Sequence, residues 1–213
     1  MHILITDDHA VVRRGLKEIL NESFEGATFD QAGNADEALR LLARDGADIL
    51  VLDINMPGRS GLDLLKDVKR IHPRLPVIVL SVQPEEQYAV RCLRAGAASY
   101  IKKDSAPEEL AQAVRKVLSG GRYVSAGVAE KLVTILDDPG DRPRHDGLSD
   151  RELEVMLMIV EGVSLTEIGN RLHLSAKTVS TYRARLMDKM QMKSNAELTR
   201  YAVKHHLIEP EVS

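Results

Sequence analysis

Four residues far apart in the chain carry side chains that could act together: Asp7 and Asp8 after ILIT, Asp53 at the end of DILVLD, and Lys103 at the end of SYIKK. Each follows a short apolar run of the kind that forms a buried parallel strand, so all four are expected at one edge of one sheet. Three carboxylates held close repel unless a cation sits among them, and hard oxygen donors suit Mg²⁺ better than zinc or copper. The chemistry this set supports is transfer of a phosphoryl group onto a carboxylate. Asp53 is the nucleophile, Mg²⁺ offsets the charge shared between Asp53 and the incoming group, and Lys103 pairs with the remaining oxygens. Ser81, at the end of PVIVLS, places a hydroxyl at the tip of a further strand.

The elements that must position these groups alternate from Met1 to about Gly120. HILIT, ATFDQA, ADILVLD, PVIVLS and ASYIK read as strands, each followed by a segment of helical period. Five such units predict an α/β fold, a flavodoxin-like doubly wound five-stranded parallel sheet with helices on both faces. Ligands bind such sheets beyond the carboxyl ends of the strands, where the strand order reverses, and the first and third strands flank that point. In the fifth helix Leu110, Ala113, Val114, Val117 and Leu118 form one apolar stripe, with Pro107 near its start and Gly120-Gly121 after it. Pro57 and Gly58 make a turn after Asp53. Of the neighbouring lysines, strand alternation puts Lys103 on the opposite face from Lys102.

Residues 121–147 read as a linker with one helix, Val128 to Leu136, followed by DDPGDRPRHDG, whose proline, glycine and mixed charge bury little. Residues 148–213 read as a second, all-α unit with helices Asp150 to Glu161, Leu165 to Leu172, Ala176 to about Met190 and Asn195 to His206. Ser149, Ser164, Ser175 and Ser194 stand at the N-cap positions, and Ser149 with Glu152 has capping-box spacing. Two short helices joined by a tight turn have helix-turn-helix character. On the second of them Val179, Tyr182, Leu186 and Met190 share one face and pack inward. The other face presents Lys177, Thr181, Ala184 and Arg185, with Ser180 at its margin. Short side chains flanked by cations suit a helix in a DNA major groove. By residue types alone, a four-helix bundle with a charged exterior accounts for the same pattern. His205 and His206 adjoin the end of the last helix without a third ligand in view and read as solvated.

Charge and composition agree with two jobs. The formal net charge is -3, but residues 1–120 carry 16 Lys/Arg against 18 Asp/Glu, and residues 171–204 carry 8 against 2. The basic tail points to nucleic acid. A single cysteine, Cys92, excludes an internal disulfide framework and fits a reducing compartment. No apolar run approaches a membrane span and no signal segment opens the chain, so a cytoplasmic protein without a membrane partner is expected.

Residues 1 to about 120 resemble the receiver domain of bacterial two-component response regulators in DDH at 7–9, DINMPGRSG at 53–61, LSV at 80–82 and YIKKD at 100–104. Leu148 to about Tyr201 resembles the LuxR/NarL-type DNA-binding domain in LS-x-RE-x-EV, EI-x-x-x-L-x-LS-x-x-TV and Y-x-x-R-x-x-x-K. Together they are similar to a response regulator of the NarL/FixJ type, a transcription regulator and not an enzyme. The resemblance implies that Asp53 accepts phosphate from a sensor histidine kinase. Asp8, Asp53 and the backbone carbonyl of Asn55 would ligate Mg²⁺, with Asp7 helping through water. Lys103 and Ser81 would bind the phosphoryl group, and Tyr100 would swing inward as Ser81 moves. In the tail it implies that Ser180, Thr181 and Ala184 face bases of double-stranded DNA and that Lys177, Thr178, Arg185 and Lys189 lie near phosphates. Phosphorylation would then release the tail or make a homodimer, and the sequence leaves both routes open. An aspartyl-phosphate phosphatase uses similar groups, but it places a second carboxylate two residues after its nucleophile. Asn55 stands there in this chain. Two departures from the family pattern are Ser99, where glycine is common, and Gln191, where glycine often ends the recognition helix; without that glycine the helix is expected to run longer.

Overall fold

The structure is a computed structural model that describes residues 1–56, 60–82, 85–137, 143–205 and 207–208. The turn expected at Pro57 and Gly58, most of the Pro/Gly-rich connector and His206 lie outside the described residues. Two units divide the chain, Met1–Asp137 and Asp138–Ser213.

In the first unit, five short apolar segments form the strands β1 (His2–Thr6), β2 (Thr28–Ala32), β3 (Ile49–Asp53), β4 (Val77–Ser81) and β5 (Ser99–Lys102). They pair in parallel in the order β2-β1-β3-β4-β5. β3 and β4 are buried along their whole length, as strands with helices on both faces must be. Between the strands run α1 (Ala10–Ser23), α2 (Ala35–Asp45), α3 (Gly61–Ile71), α4 (Glu85–Arg94) and α5 (Ala106–Leu118). One face of the sheet buries Ile3, Ile5, Ile49, Val51, Ile78 and Leu80 against Leu16 and Leu20 of α1 and Leu110, Ala113, Val114 and Val117 of α5. Leu118, expected in that stripe, is exposed because α5 ends there and the chain turns away at Gly120, which has a positive φ. The helix expected in the linker forms as α6 (Ala126–Asp137), but it falls within the first unit, where it packs on α4.

The second unit consists of α7 (Asp150–Val160), α8 (Leu165–Leu172), α9 (Ala176–Met190) and α10 (Asn195–Lys204), preceded by a 3-10 turn at Arg144–Gly147. Each α-helix starts with a serine whose hydroxyl accepts the N–H three residues on: Ser149 from Glu152, Ser164 from Glu167, Ser175 from Thr178 and Ser194 from Glu197. The capping box is complete, since Glu152 returns its carboxylate to the Ser149 N–H at 2.7 Å.

The expectation of a longer α9 is not met. Gln191 adopts the left-handed conformation itself, at φ 54° and ψ 46°, and ends the helix after Met190. A non-glycine residue there costs about 1–2 kcal/mol. Two backbone bonds oppose the cost, Gln191 N–H to Asp188 O and Met192 N–H to Met187 O, each 3.0 Å. His173 closes α8 in the same way at φ 53°.

Candidate functional site

The carboxyl ends of β1, β3, β4 and β5 bring the expected groups together. Asp7, immediately after β1, and Asp53, the last residue of β3, are 1% and 2% exposed. Lys103 follows β5 and opens a short 3-10 turn, so the turn and not strand alternation aims its side chain. Its ammonium donates to Asp7 Oδ2 at 2.7 Å and to Asp53 Oδ2 at 2.8 Å. Lys102 is exposed. The other Asp53 oxygen accepts the Asn55 N–H at 2.9 Å. Asp7 Oδ1 accepts the His9 N–H at 2.8 Å, and Asp8 Oδ1 lies 2.9 Å from His9 Nδ1.

Burial pushes the Asp53 carboxyl above the usual aspartate range, although Lys103 and the Asn55 N–H pull the other way. Burial also works to lower the Lys103 pKa, but the facing carboxylates outweigh it and the pKa is raised. The ammonium therefore stands charged in the crevice. Carboxylate oxygens of Asp7, Asp8 and Asp53 and a ring nitrogen of His9 lie within 4.8 Å of one another, a set that could hold a metal ion. Three carboxylates against one ammonium leave a deficit of positive charge that a divalent cation meets, and oxygen-dominated donors fit a hard one.

Ser81, the last residue of β4, is fully buried and donates its hydroxyl to Asn55 Oδ1 at 2.8 Å. Asn55, whose backbone carbonyl is the expected ion ligand, also links Asp53 to Ser81 through its N–H and side chain. Tyr100, in β5, is buried, at 1% exposed. Gly61 escaped the sequence reading. A Cβ at that position would run into the Asp53 carbonyl oxygen, so only glycine lets the start of α3 close against the end of β3. The glycine is visible in DINMPGRSG, but its need depends on how closely two backbones approach.

In the second unit Val179, Leu186 and Met190 of α9 are buried and Tyr182 is partly so. Lys177, Ser180, Thr181, Ala184, Arg185 and Lys189 are exposed, and Thr178 is half-buried with its hydroxyl 2.8 Å from that of Ser175. The turn between α8 and α9 is tight because Gly169 allows it: a Cβ there would lie 2.6 Å from Leu174 O. Arg183 gives both Nε and Nη2 to Asn195 Oδ1, at 3.2 and 2.8 Å, and so ties α9 to the first turn of α10. Lys189 donates to Glu152 Oε2 at 2.6 Å.

A doubly wound sheet with an acidic, lysine-bridged crevice, together with a helix-turn-helix unit, defines a receiver-and-effector protein. Residues 3–115 match the response regulator receiver domain, and residues 146–202 match the bacterial regulatory proteins of the luxR family. The chain is 33% identical over 212 residues to the response regulator UvrY of Escherichia coli K12, covering 99% of this chain and 97% of UvrY. It is 37% identical over 210 residues to the response regulator GacA of Pseudomonas protegens, covering 98% of each. A structure of RcsB from Salmonella enterica serovar Typhimurium, bound to promoter rprA in the presence of phosphomimetic BeF3-, matches with a TM-score of 0.62 at 27% identity. That match covers 94% of this chain and 98% of RcsB. The chain belongs to the two-component response regulators of the NarL/FixJ family. Among the described residues no helix is long and apolar enough to cross a membrane.

Proposed function

We propose that Asp53 is the phosphoacceptor of a cytoplasmic two-component transcription regulator, served by a sensor histidine kinase and acting on double-stranded DNA. The observation that carries this reading is the Lys103 ammonium held between Asp7 and Asp53 at the carboxyl edge of the sheet. An oxygen of Asp53 attacks phosphorus, the bond from phosphorus to the kinase histidine nitrogen breaks, and an acyl phosphate forms on Asp53. Asp8, Asp53 and the Asn55 carbonyl would hold Mg²⁺, with Asp7 acting through water; when bound, Mg²⁺ neutralises phosphoryl oxygens. Lys103 leaves Asp7 and Asp53 for the new phosphoryl oxygens. Ser81 turns from Asn55 toward the same group, and Tyr100 occupies the space this leaves.

Lys177 and Arg185 are assigned to phosphates, and Thr178 to the same region through its place beside the Ser175 cap at the α9 N-terminus. Ser180, Thr181 and Ala184 are short and exposed, and they are assigned to base edges. Pairing of two phosphorylated chains would present two such helices to two half-sites. The test is labelling by a small phosphodonor with Mg²⁺ present. Wild-type protein takes up one phosphoryl group and Asp53→Asn takes up none; equal labelling of the two would remove Asp53 from its role.

A further inference from the structure

Lys189 lies in the last turn of α9, where a cation on a DNA-binding helix would ordinarily be given to a phosphate. Its surroundings give it another use. Its Nζ is 2.6 Å from Glu152 Oε2, and that carboxylate belongs to a residue only 3% exposed. The same Oε2 receives the Ser149 N–H at 2.7 Å, so Lys189 closes on the capping box that starts α7. Burial works to raise the Glu152 pKa, but Lys189 and the Ser149 groups outweigh it and the carboxyl is held below its usual range. A second bond runs the same way: Arg144 Nη1 donates to Met190 O, the final carbonyl of α9, at 2.9 Å. The end of α9 is thus fastened at two points to the segment that leads into the unit. Both cations also oppose the negative end of the α9 dipole.

The charge balance decides between the two uses. An ammonium paired with a buried carboxylate presents a nearly neutral pair to its surroundings, whereas the slope of affinity against salt reports net positive charge delivered to phosphates. Removing Lys189 also leaves Glu152 buried without its ion partner, a disruption that a free surface lysine would not cause.

We infer that Lys189 is a positioning residue, which holds α9 at the angle set by the start of α7 through Glu152 and does not supply a phosphate contact. This rests on the reading of the second unit as a DNA-binding unit. The test uses the full chain and a duplex selected from a random pool by the wild-type protein, with binding measured across a range of salt. Lys189→Met is expected to weaken binding about tenfold at every salt, within the coupling range of a close pair, and to leave the slope unchanged. Lys189→Arg restores affinity, Glu152→Gln reproduces the loss, and the double variant Glu152→Gln/Lys189→Met loses no more than either single one.

A slope lower by about one unit in Lys189→Met would make the residue a phosphate contact and overturn the inference. Unchanged affinity with only a lower melting temperature would reduce it to a stabilising pair and overturn it equally. If the wild-type chain selects no duplex, the DNA-binding reading fails. Thermal unfolding then still decides the fastening, because additive losses for residues 152 and 189 would refute it and non-additive losses would uphold it.

Discussion

The two units handle charge in opposite ways. The first buries it, with Asp7, Asp53 and Lys103 shielded at the edge of the sheet and joined by two short bonds. On the outer face of α9 the second displays it, with Lys177 and Arg185 exposed along one side of the helix. A buried set of fixed geometry suits a small ion and one phosphoryl group, since low dielectric strengthens each contact and repacking a few atoms changes the whole crevice. An exposed set suits a long polyanion, because each cation adds a small, salt-sensitive increment. Damage to the first unit should therefore appear as lost stability and lost chemistry together. Damage to the cations displayed on α9 should appear in binding alone.

The largest effect is expected from Lys103→Met. It leaves two buried carboxylates facing each other and should cost about 3–5 kcal/mol of first-unit stability in denaturant unfolding. Millimolar Mg²⁺ should return part of that loss, and a stability equal to wild type in metal-free buffer would break the contrast. Next, Thr181→Ala should change discrimination at one base pair by about 1–3 kcal/mol, whereas Arg185→Ala should weaken all duplexes and lower the salt slope by about 0.9. Neither should shift the melting temperature; a shift would mean that the display face is structural.

A smaller effect concerns acid. The Glu152 carboxyl is held below its usual range in the fold, so its contribution is present above the ordinary value of about 4.3 and lost as pH falls through the lowered one. Glu152→Gln should flatten that acid limb of the stability curve. The smallest is Gln191→Gly, expected to add about 0.5–1 kcal/mol, because relief of the left-handed strain is partly cancelled by the greater freedom of glycine in the unfolded chain.

Much of this was readable from local pattern. The strand tips at Asp7, Asp53 and Ser81 follow from apolar runs of fixed length, and the serine caps follow from hydrogen bonds that span three residues. The chain itself determined the five-strand alternation, the acidic pair and lysine, the helix-turn-helix and the cationic tail. These depend on side-chain period and on contacts near in sequence. Folding alone decided that Lys189 meets Glu152, that Arg183 meets Asn195, that Gly61 tolerates the Asp53 carbonyl, and that Gln191 takes a backbone shape usually left to glycine. Those outcomes turn on distances between separate elements and on small differences between strain and hydrogen bonding, which no residue type carries by itself.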